Sequence, residues 1–196
     1  MITRSPGGPL RRLVVLRHAK SAWPAGVPDH ERPLAPRGRR DAPAAGRALA
    51  ESDWLPDLVL CSTAVRARQT WELASAQWGT PPPVRFDPRL YAADVPELLE
   101  SVHHAPTEAQ TLLLIGHNPG LTDLVLELAG DGLDDTVDRV RAKFPTSGIA
   151  VLARHGGTWD SLAPGTALLT DVIVPRGRKG QGTQGGTGPA TPPGYL

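Results

Sequence analysis

Hydrophobic residues occur along this chain in short uninterrupted runs, which are separated by polar, glycine-rich or proline-rich stretches. A run of leucine and β-branched residues without polar alternation is typical of a strand that is buried on both faces of a sheet. The runs predict strands at residues 13–16, 57–61, 84–86, 111–115, 148–153 and 167–174. The glycine pair at 156–157 marks a turn, so the last two strands are candidates for a hairpin.

Four segments between these runs carry alanine, leucine or valine at helical spacing, which predicts helices. They are residues 38–52, 64–78, 95–104 and 121–128, with Ser62 as the N-cap of the second and Gly130 ending the last. Residues 19–36 contain four prolines among polar residues and are expected to form a long ordered loop. Strands that alternate with helices in this way predict an α/β fold, a three-layer sandwich in which helices cover both faces of a mainly parallel sheet.

The length of 196 residues suits one domain with its own hydrophobic core, which we assign to residues 13–175. Residues 1–12 contain no apolar run of signal-peptide length and are expected to form a flexible segment. Residues 176–196 are rich in glycine and have almost no apolar side chains, so we predict a disordered tail. We expect the protein to be a monomer.

Composition narrows the classes of function. A single cysteine, Cys61, excludes a disulfide framework and a cysteine-rich zinc site, and we interpret it as a packing residue in a reducing compartment. A formal net charge of +1 provides no bulk field for nucleic acid or a membrane surface, and no stretch approaches the ~18 apolar residues of a membrane helix. We therefore expect a cytoplasmic protein that binds neither nucleic acid nor membrane.

Polar side chains gather where three of the predicted strands end. Arg17 and His18 follow the first strand, Arg66 follows the second after a short turn, and His117 follows the fourth. The carboxyl ends of neighbouring parallel strands meet at one edge of a sheet, where ligands bind. Arginine presents paired donors to two phosphoryl oxygens, and neutral imidazole is a nucleophile at physiological pH. Together these residues indicate phosphoryl transfer through a phosphohistidine.

Three motifs at these strand ends resemble those of the histidine phosphatase superfamily, which has the phosphoglycerate mutase-like fold. They are LRHAKS at 16–21, STAVRARQT at 62–70 and GHNP at 116–119, and they occur in the family's order within residues 13–175. The resemblance implies that His18 is the nucleophile. It also implies that Arg17, Arg66 and His117 surround the phosphoryl oxygens.

Neighbours of these four residues are further candidates for substrate binding. Lys20 and Ser21 directly follow the nucleophile and are placed to contact phosphate, although Lys20 is equally consistent with a solvated loop charge. Asn118 either contacts substrate or orients the second histidine, and Trp23 either shapes the mouth of the site or anchors the loop to the core. The sequence contains no HExxH, no CxxC and no carboxylate cluster with metal-site spacing, so we expect neither a metal nor a cofactor.

The leaving group distinguishes the branches of this family. Cleavage of an alcohol phosphate requires a general acid, because an alkoxide leaves poorly unless it is protonated. In residues 87–97, where the acid is expected, Tyr91 and Ala92 occupy its approximate position, and the nearest carboxylates are Asp94 and Glu97. Both carboxylates also suit the N-terminus of a helix, whose dipole favours negative charge.

The RHAKSAW and ERPL segments and the short linker between the motifs resemble the SixA-type phosphohistidine phosphatases. This resemblance implies that the substrate is a phosphoprotein that carries phosphate on histidine. One alternative is a phosphatase or mutase for small phosphate esters, with Asp94 or Glu97 as the acid. Another is a non-catalytic phosphate-binding scaffold that keeps the fold.

Overall fold

The structure, a computed structural model, describes residues 8–178 of the chain. Its strands are β1 Leu10–Arg17, β2 Leu58–Ser62, β3 Val84–Asp87, β4 Thr111–Gly116, β5 Ala129–Gly132, β6 Ile149–His155 and β7 Ala167–Ile173. Its α-helices are α1 Pro36–Glu51, α2 Val65–Ser75, α3 Val95–His103, α4 Gly120–Leu128 and α5 Thr136–Ala142. No helix in this range is long and apolar enough to cross a membrane. Most of the predicted flexible N-terminal segment and of the predicted tail lies outside the described residues.

The strands form one sheet in the order β3-β2-β4-β1-β6-β7-β5. From β3 to β1 neighbouring strands are parallel, and β5 is parallel to β7, whereas β6 is antiparallel to both β1 and β7. The predicted α/β class and mainly parallel sheet are confirmed, with the qualification that β6 runs against its two neighbours. The predicted pairing of the last two strands is also confirmed.

Alternate residues of the central strands face two separate hydrophobic cores. Val15 and Leu114 belong to the core that contains residues of α3, α4 and α5, while Val14 and Leu113 belong to the core that contains residues of α1 and α2. All four side chains are fully buried. Burial on both faces explains why the strand sequences show no polar alternation, and it confirms the predicted three-layer arrangement.

The segment after α4 departs from the sequence prediction, which ended the helix at Gly130 and placed no further element before residue 148. β5 and α5 lie there. β5 reads AGDG, a composition with low strand propensity. Gly130 approaches the carbonyl of Gly165 so closely that a Cβ atom would collide with it. A tertiary contact that local patterns do not reveal therefore fixes this strand.

The described contacts extend past both ends of the predicted domain. β1 begins at Leu10, ahead of the predicted start at residue 13. Beyond residue 175 the chain lies along α1, where Arg176 donates to the buried carboxylate of Asp41 over 2.9 Å and the Gly177 N–H donates to the same carboxylate over 3.1 Å. The rest of the predicted tail, residues 179–196, lies outside the described residues.

Candidate active site

The ends of β1, β2 and β4 bring the predicted residues together at one edge of the sheet. His18 follows β1, His117 follows β4, and Arg66 lies in the first turn of α2. The three strands are parallel neighbours, so their carboxyl ends open on the same side. There they border a cleft of about 170 Å³, which is lined by Arg17, His18, Lys20, Ser21, Trp23, Arg32, Arg66, His117, Asn118 and Thr146. All seven predicted site residues line this cleft.

His18 is held with one ring nitrogen occupied and the other available. Its Nδ1 lies 2.7 Å from the carbonyl oxygen of Ala19, and because a carbonyl only accepts hydrogen bonds, Nδ1 carries the proton. Nε2 therefore bears the lone pair, and it accepts a hydrogen bond from Arg66 Nε at 3.3 Å. Burial, with His117 as the next contribution, lowers the pKa of His18 to about 3. At neutral pH the ring is therefore uncharged, and its Nε2 lone pair is chemically capable of nucleophilic attack.

Arg66 is fixed by the loop that follows β1. Its Nη1 donates to the backbone oxygen of Asp29 over 2.6 Å, and its Nη2 donates to the Asp29 carboxylate over 3.0 Å. The guanidinium is buried and aligned beside His18 before any phosphate enters. Sequence reasoning missed Asp29, because a single aspartate in a long irregular loop carries no positional signal.

Asp29 is itself the centre of a small network. The Tyr91 hydroxyl donates to its carboxylate over 2.7 Å, and Arg32 Nη1 donates to the same group over 2.6 Å. These two hydrogen bonds hold the pKa of Asp29 well below its usual range. The hydrogen bond to Asp29 also raises the pKa of Tyr91. Tyr91 thus occupies the region where an acid was expected, but its proton is directed at Asp29.

His117 packs beside the His18 ring. Its Nε2 lies 2.8 Å from the hydroxyl of Ser62, and its ring centroid lies 5.0 Å from that of His18. Burial, followed by the nearby Arg66, lowers the pKa of His117 to about 3. The prediction that Ser62 is the helix N-cap is wrong: α2 begins at Val65 with Ala64 as its cap residue, and Ser62 ends β2 in contact with His117.

Arg17 and Asn118 are joined through one carbonyl. Arg17 Nη1 and Asn118 Nδ2 both donate to the backbone oxygen of Phe144, over 2.8 and 3.0 Å. Within residues 8–178, several buried side-chain atoms around the cleft form no hydrogen bond, and they include Arg17 Nε and His117 Nδ1. Buried polar atoms are usually paired, so these two nitrogens are candidates for contact with a bound anion.

A strained turn closes the end of β1. Ser147 has φ of 61°, in the left-handed region that costs a non-glycine residue of order 1 kcal/mol or more. Its N–H donates to the backbone oxygens of Arg17 (3.1 Å) and His18 (3.3 Å). This turn holds the backbone of the two motif residues in place, and nothing in the sequence indicated it.

The two candidate acids lie outside the cleft. The Asp94 carboxylate accepts from the Glu97 N–H, and the Glu97 carboxylate accepts from the Asp94 N–H, both over 3.0 Å. This reciprocal pair is the capping box of α3, in agreement with the interpretation of both residues as helix N-terminal. Neither side chain lines the cleft with His18.

Positive charge at the cleft comes from the side chains of Arg17, Lys20, Arg32 and Arg66. Arg66 and Arg32 are buried, whereas Lys20 is exposed. Across the described ranges, no group of three or more histidine, cysteine, aspartate or glutamate side chains is arranged to hold a metal ion. The cleft can therefore bind an anion through guanidinium groups.

The two buried imidazoles predict a destabilisation in acid. Below pH 6.5 the unfolded chain protonates both rings, whereas the folded chain keeps them neutral down to about pH 3. The unfolded state then binds more protons, so the free energy of unfolding falls by up to about 1.4 kcal/mol per pH unit for each histidine as the pH decreases. Urea denaturation between pH 4.5 and 7 should show a shallower pH slope for His117→Asn than for the wild type.

His104→Asn is the matched control for this experiment, because His104 is exposed at the C-cap of α3. Its slope should equal that of the wild type. An unchanged slope for His117→Asn would contradict the assignment of a neutral buried ring at that position.

Sequence comparison places the chain among known families. The model of the histidine phosphatase superfamily (branch 1) matches residues 13–164. An uncharacterized protein of Mycobacterium tuberculosis is 47% identical over 163 residues, which are 82% of this chain and 100% of the relative.

Solved structures share the fold. The SixA protein of Nakamurella multipartitia is 36% identical with a TM-score of 0.76, covering 87% of this chain and 99% of that one. The protein histidine phosphatase SixA complexed with tungstate is 25% identical with a TM-score of 0.67, and the match covers 84% of this chain and 97% of that one. A phosphoglycerate mutase of Plasmodium falciparum, 14% identical over 90% of this chain and 99% of its own, has a TM-score of 0.56. The predicted phosphoglycerate mutase-like fold is thereby confirmed.

Proposed function

The chain belongs to the histidine phosphatase superfamily, and we propose that it removes phosphate from phosphohistidine in proteins through a phosphorylated intermediate on His18. The observation that carries the proposal is the state of His18, whose Nε2 holds a lone pair in a cleft that also contains Arg17 and Arg66. A phosphoryl group in this cleft meets a nucleophile and fixed positive charge. The tungstate complex of SixA supports this role, because tungstate is a tetrahedral oxyanion like phosphate.

In the first step, His18 Nε2 attacks phosphorus. Its lone pair forms the new P–N bond, while the bond to the substrate histidine breaks and its electron pair returns to the substrate ring nitrogen. The substrate ring leaves as neutral imidazole when its other nitrogen carries a proton. As the Nε2 lone pair forms this bond, the Arg66 Nε–H that had donated to it is freed for a phosphoryl oxygen. The positive charges of Arg17 and Arg66, already in place at the cleft, stabilise the charge on the equatorial oxygens.

In the second step, water attacks the phosphorus of phosphorylated His18. The P–N bond breaks, its electron pair returns to Nε2, and the attacking water releases a proton to solvent as free phosphate forms. Because Nδ1 keeps its proton on the Ala19 carbonyl, the ring returns to its starting tautomer. We assign the Ser62 hydroxyl as the donor to His117 Nε2, which places the proton of His117 on its Nδ1. The Nδ1–H of His117 has no partner among the described residues, and we propose that it donates to a phosphoryl oxygen.

The leaving group is the basis for proposing phosphohistidine as the substrate. In the described part of the chain, no aspartate or glutamate lines the cleft. Asp29 is ionised, and the Tyr91 hydroxyl donates to it. Without a carboxylic acid in the cleft lining, an alkoxide would leave poorly, whereas an imidazole whose other nitrogen is protonated leaves as a neutral ring. The cleft therefore favours an N-phosphoryl substrate.

The two alternatives have less support. A phosphatase or mutase for small esters needs a general acid, and the Asp94 and Glu97 carboxylates cap α3 away from His18. A non-catalytic scaffold would not need a nucleophile, yet His18 stands in the cleft in its reactive tautomer with both arginines.

The proposal predicts a steep dependence on leaving-group basicity. We expect the wild-type protein to hydrolyse a histidine-phosphorylated domain faster than an aryl phosphate, and an aryl phosphate far faster than alkyl phosphates, with EDTA present throughout. Asp94→Asn and Glu97→Gln should change phosphohistidine turnover less than about twofold, because neither side chain lines the cleft. Loss of a true general acid would lower the rate by ~10²–10⁴-fold. Phosphate release would give kcat/KM for each substrate and variant.

Each alternative has its own outcome in this assay. A ~10²–10⁴-fold loss of activity on alkyl phosphates in Asp94→Asn or Glu97→Gln, with activity on aryl phosphates retained, would establish the small-ester function instead. Activity that EDTA removes and a divalent ion restores would contradict the assignment of the positive charge to the arginine and lysine side chains of the cleft. Binding of phosphate without turnover of any substrate would indicate a scaffold.

A further inference from the structure

Trp23 is an exposed aromatic side chain at the catalytic cleft. It is 75% exposed, and it lines the same cleft as His18. Such exposure excludes the interpretation that Trp23 anchors its loop to the core. A single exposed aromatic residue needs no special explanation, but Trp23 has a fixed partner beneath it.

That partner is Arg32, a buried arginine that belongs to the ERPL segment. Its guanidinium carbon lies 3.0 Å from the centroid of the Trp23 ring, and Arg32 is only 6% exposed. Its Nε donates to the carbonyl of Ala22 over 3.0 Å, its Nη1 to Asp29 over 2.6 Å and its Nη2 to Ser21 over 2.6 Å. These three hydrogen bonds fix the Arg32 guanidinium in place against the indole of Trp23.

Stacking on a fixed guanidinium orients the indole and covers one of its faces. The opposite face is a flat apolar surface at the mouth of the site, about the width of a planar ring. In an in-line displacement the leaving group departs on the side of phosphorus away from His18, which is the open side of a cleft whose nucleophile is buried. Trp23 lines the same cleft and is its exposed aromatic residue, so a ring that departs toward solvent has the indole within reach.

We infer that Trp23, supported by Arg32, is a stacking subsite for the aromatic ring of the leaving group, which is the imidazole of a phosphohistidine. The inference rests on the proposed function and adds a specificity determinant to it. An aromatic ring gains contact area and favourable ring–ring geometry at such a surface, whereas ammonia or an alkylamine gains neither. The subsite would thus select phosphohistidine over other N-phosphoryl groups.

Two small substrates test this directly, because they share a P–N bond and differ in the ring. N-phosphoimidazole releases imidazole, and phosphoramidate releases ammonia. Trp23→Ala should lower kcat/KM for N-phosphoimidazole about tenfold more than for phosphoramidate, and Trp23→Phe should retain most of the wild-type ratio. Inhibition by free imidazole in the presence of phosphate should weaken in Trp23→Ala in parallel.

Phe86→Ala is the matched control, because Phe86 is another exposed aromatic residue (44%) beneath an arginine, Arg68, but lies on β3 outside the cleft. It should leave the substrate ratio unchanged. Equal losses on both substrates in Trp23→Ala would overturn the subsite and leave the proposed function intact. A wild-type protein that hydrolyses a histidine-phosphorylated domain but neither small P–N substrate would show that the polypeptide and not the ring is recognised, which overturns the subsite alone. A wild-type protein that hydrolyses neither the domain nor the small substrates would overturn the proposed function and, with it, the subsite.

Discussion

Replacing His18 with alanine should abolish turnover, with a loss of at least about 10⁴-fold in kcat, and should prevent formation of a phosphoenzyme. The reason is that the proposed reaction passes through a covalent bond to Nε2, which no other side chain of the cleft is placed to replace. Rapid quench with a labelled phosphodonor would measure the intermediate. Its label should be acid-labile and base-stable, as expected of a phosphorylated imidazole.

The control for this experiment is His104→Ala, which removes an exposed imidazole at the C-cap of α3 and should leave both turnover and labelling at wild-type values. The fold of His18→Ala should persist, because the substitution removes a buried polar ring and leaves the strands of the sheet unchanged. Circular dichroism and thermal unfolding would verify this. Wild-type amounts of acid-labile label in His18→Ala would show that another histidine, with His117 the first candidate, is the nucleophile.

The central residues of the site were predictable from the sequence because they follow regular elements. His18 and His117 stand directly after uninterrupted apolar runs, and such runs predict parallel strands whose carboxyl ends converge. Arg66 lies in the first turn of the helix that follows the next strand. In the sheet β2, β4 and β1 are neighbours, and this order brings the three side chains to one cleft.

The support around these residues was not predictable in the same way. Asp29, Arg32 and Trp23 belong to a loop without hydrophobic periodicity, so their sequence positions do not indicate which side chains they contact. Tyr91 lies more than sixty residues from Asp29, and only the folded chain shows the 2.7 Å hydrogen bond between them. Sequence patterns locate the proposed nucleophile, whereas the hydrogen bonds that orient its neighbours depend on tertiary structure.

The same distinction explains the error at Ser62. A serine after a strand and before a helix is a favourable N-cap by composition, yet the helix begins three residues later at Val65. The Ser62 hydroxyl instead contacts His117 and accepts from the Ala64 N–H over 3.3 Å. Because both functions use the same hydroxyl, the residue type did not distinguish a cap from a site contact.

Arg66 provides the second large effect that we expect. Arg66→Lys should lower kcat/KM by about 10²–10³-fold, because lysine cannot reproduce the planar donors that stabilise the equatorial oxygens. Asp29→Asn should lower it about tenfold by a different route. Asparagine keeps the backbone contact to Nη1 of Arg66. It removes the negative charge that pairs with Nη2 of Arg66 and with Arg32, and so loosens the Arg66 guanidinium. Steady-state kinetics on a histidine-phosphorylated domain would give both values.

The double variant separates positioning from simple damage to the loop. If Asp29 acts by holding Arg66, then Asp29→Asn should change kcat/KM less than about twofold in the Arg66→Lys background, since the group that it orients is gone. Asp138→Asn is the control, because it breaks an exposed ion pair with Arg141 on α5 and should have no effect in either background. Independent losses that multiply in the double variant would show that Asp29 acts on catalysis without Arg66. A wild-type rate for Asp29→Asn alone would show that the backbone contact is sufficient to hold the guanidinium.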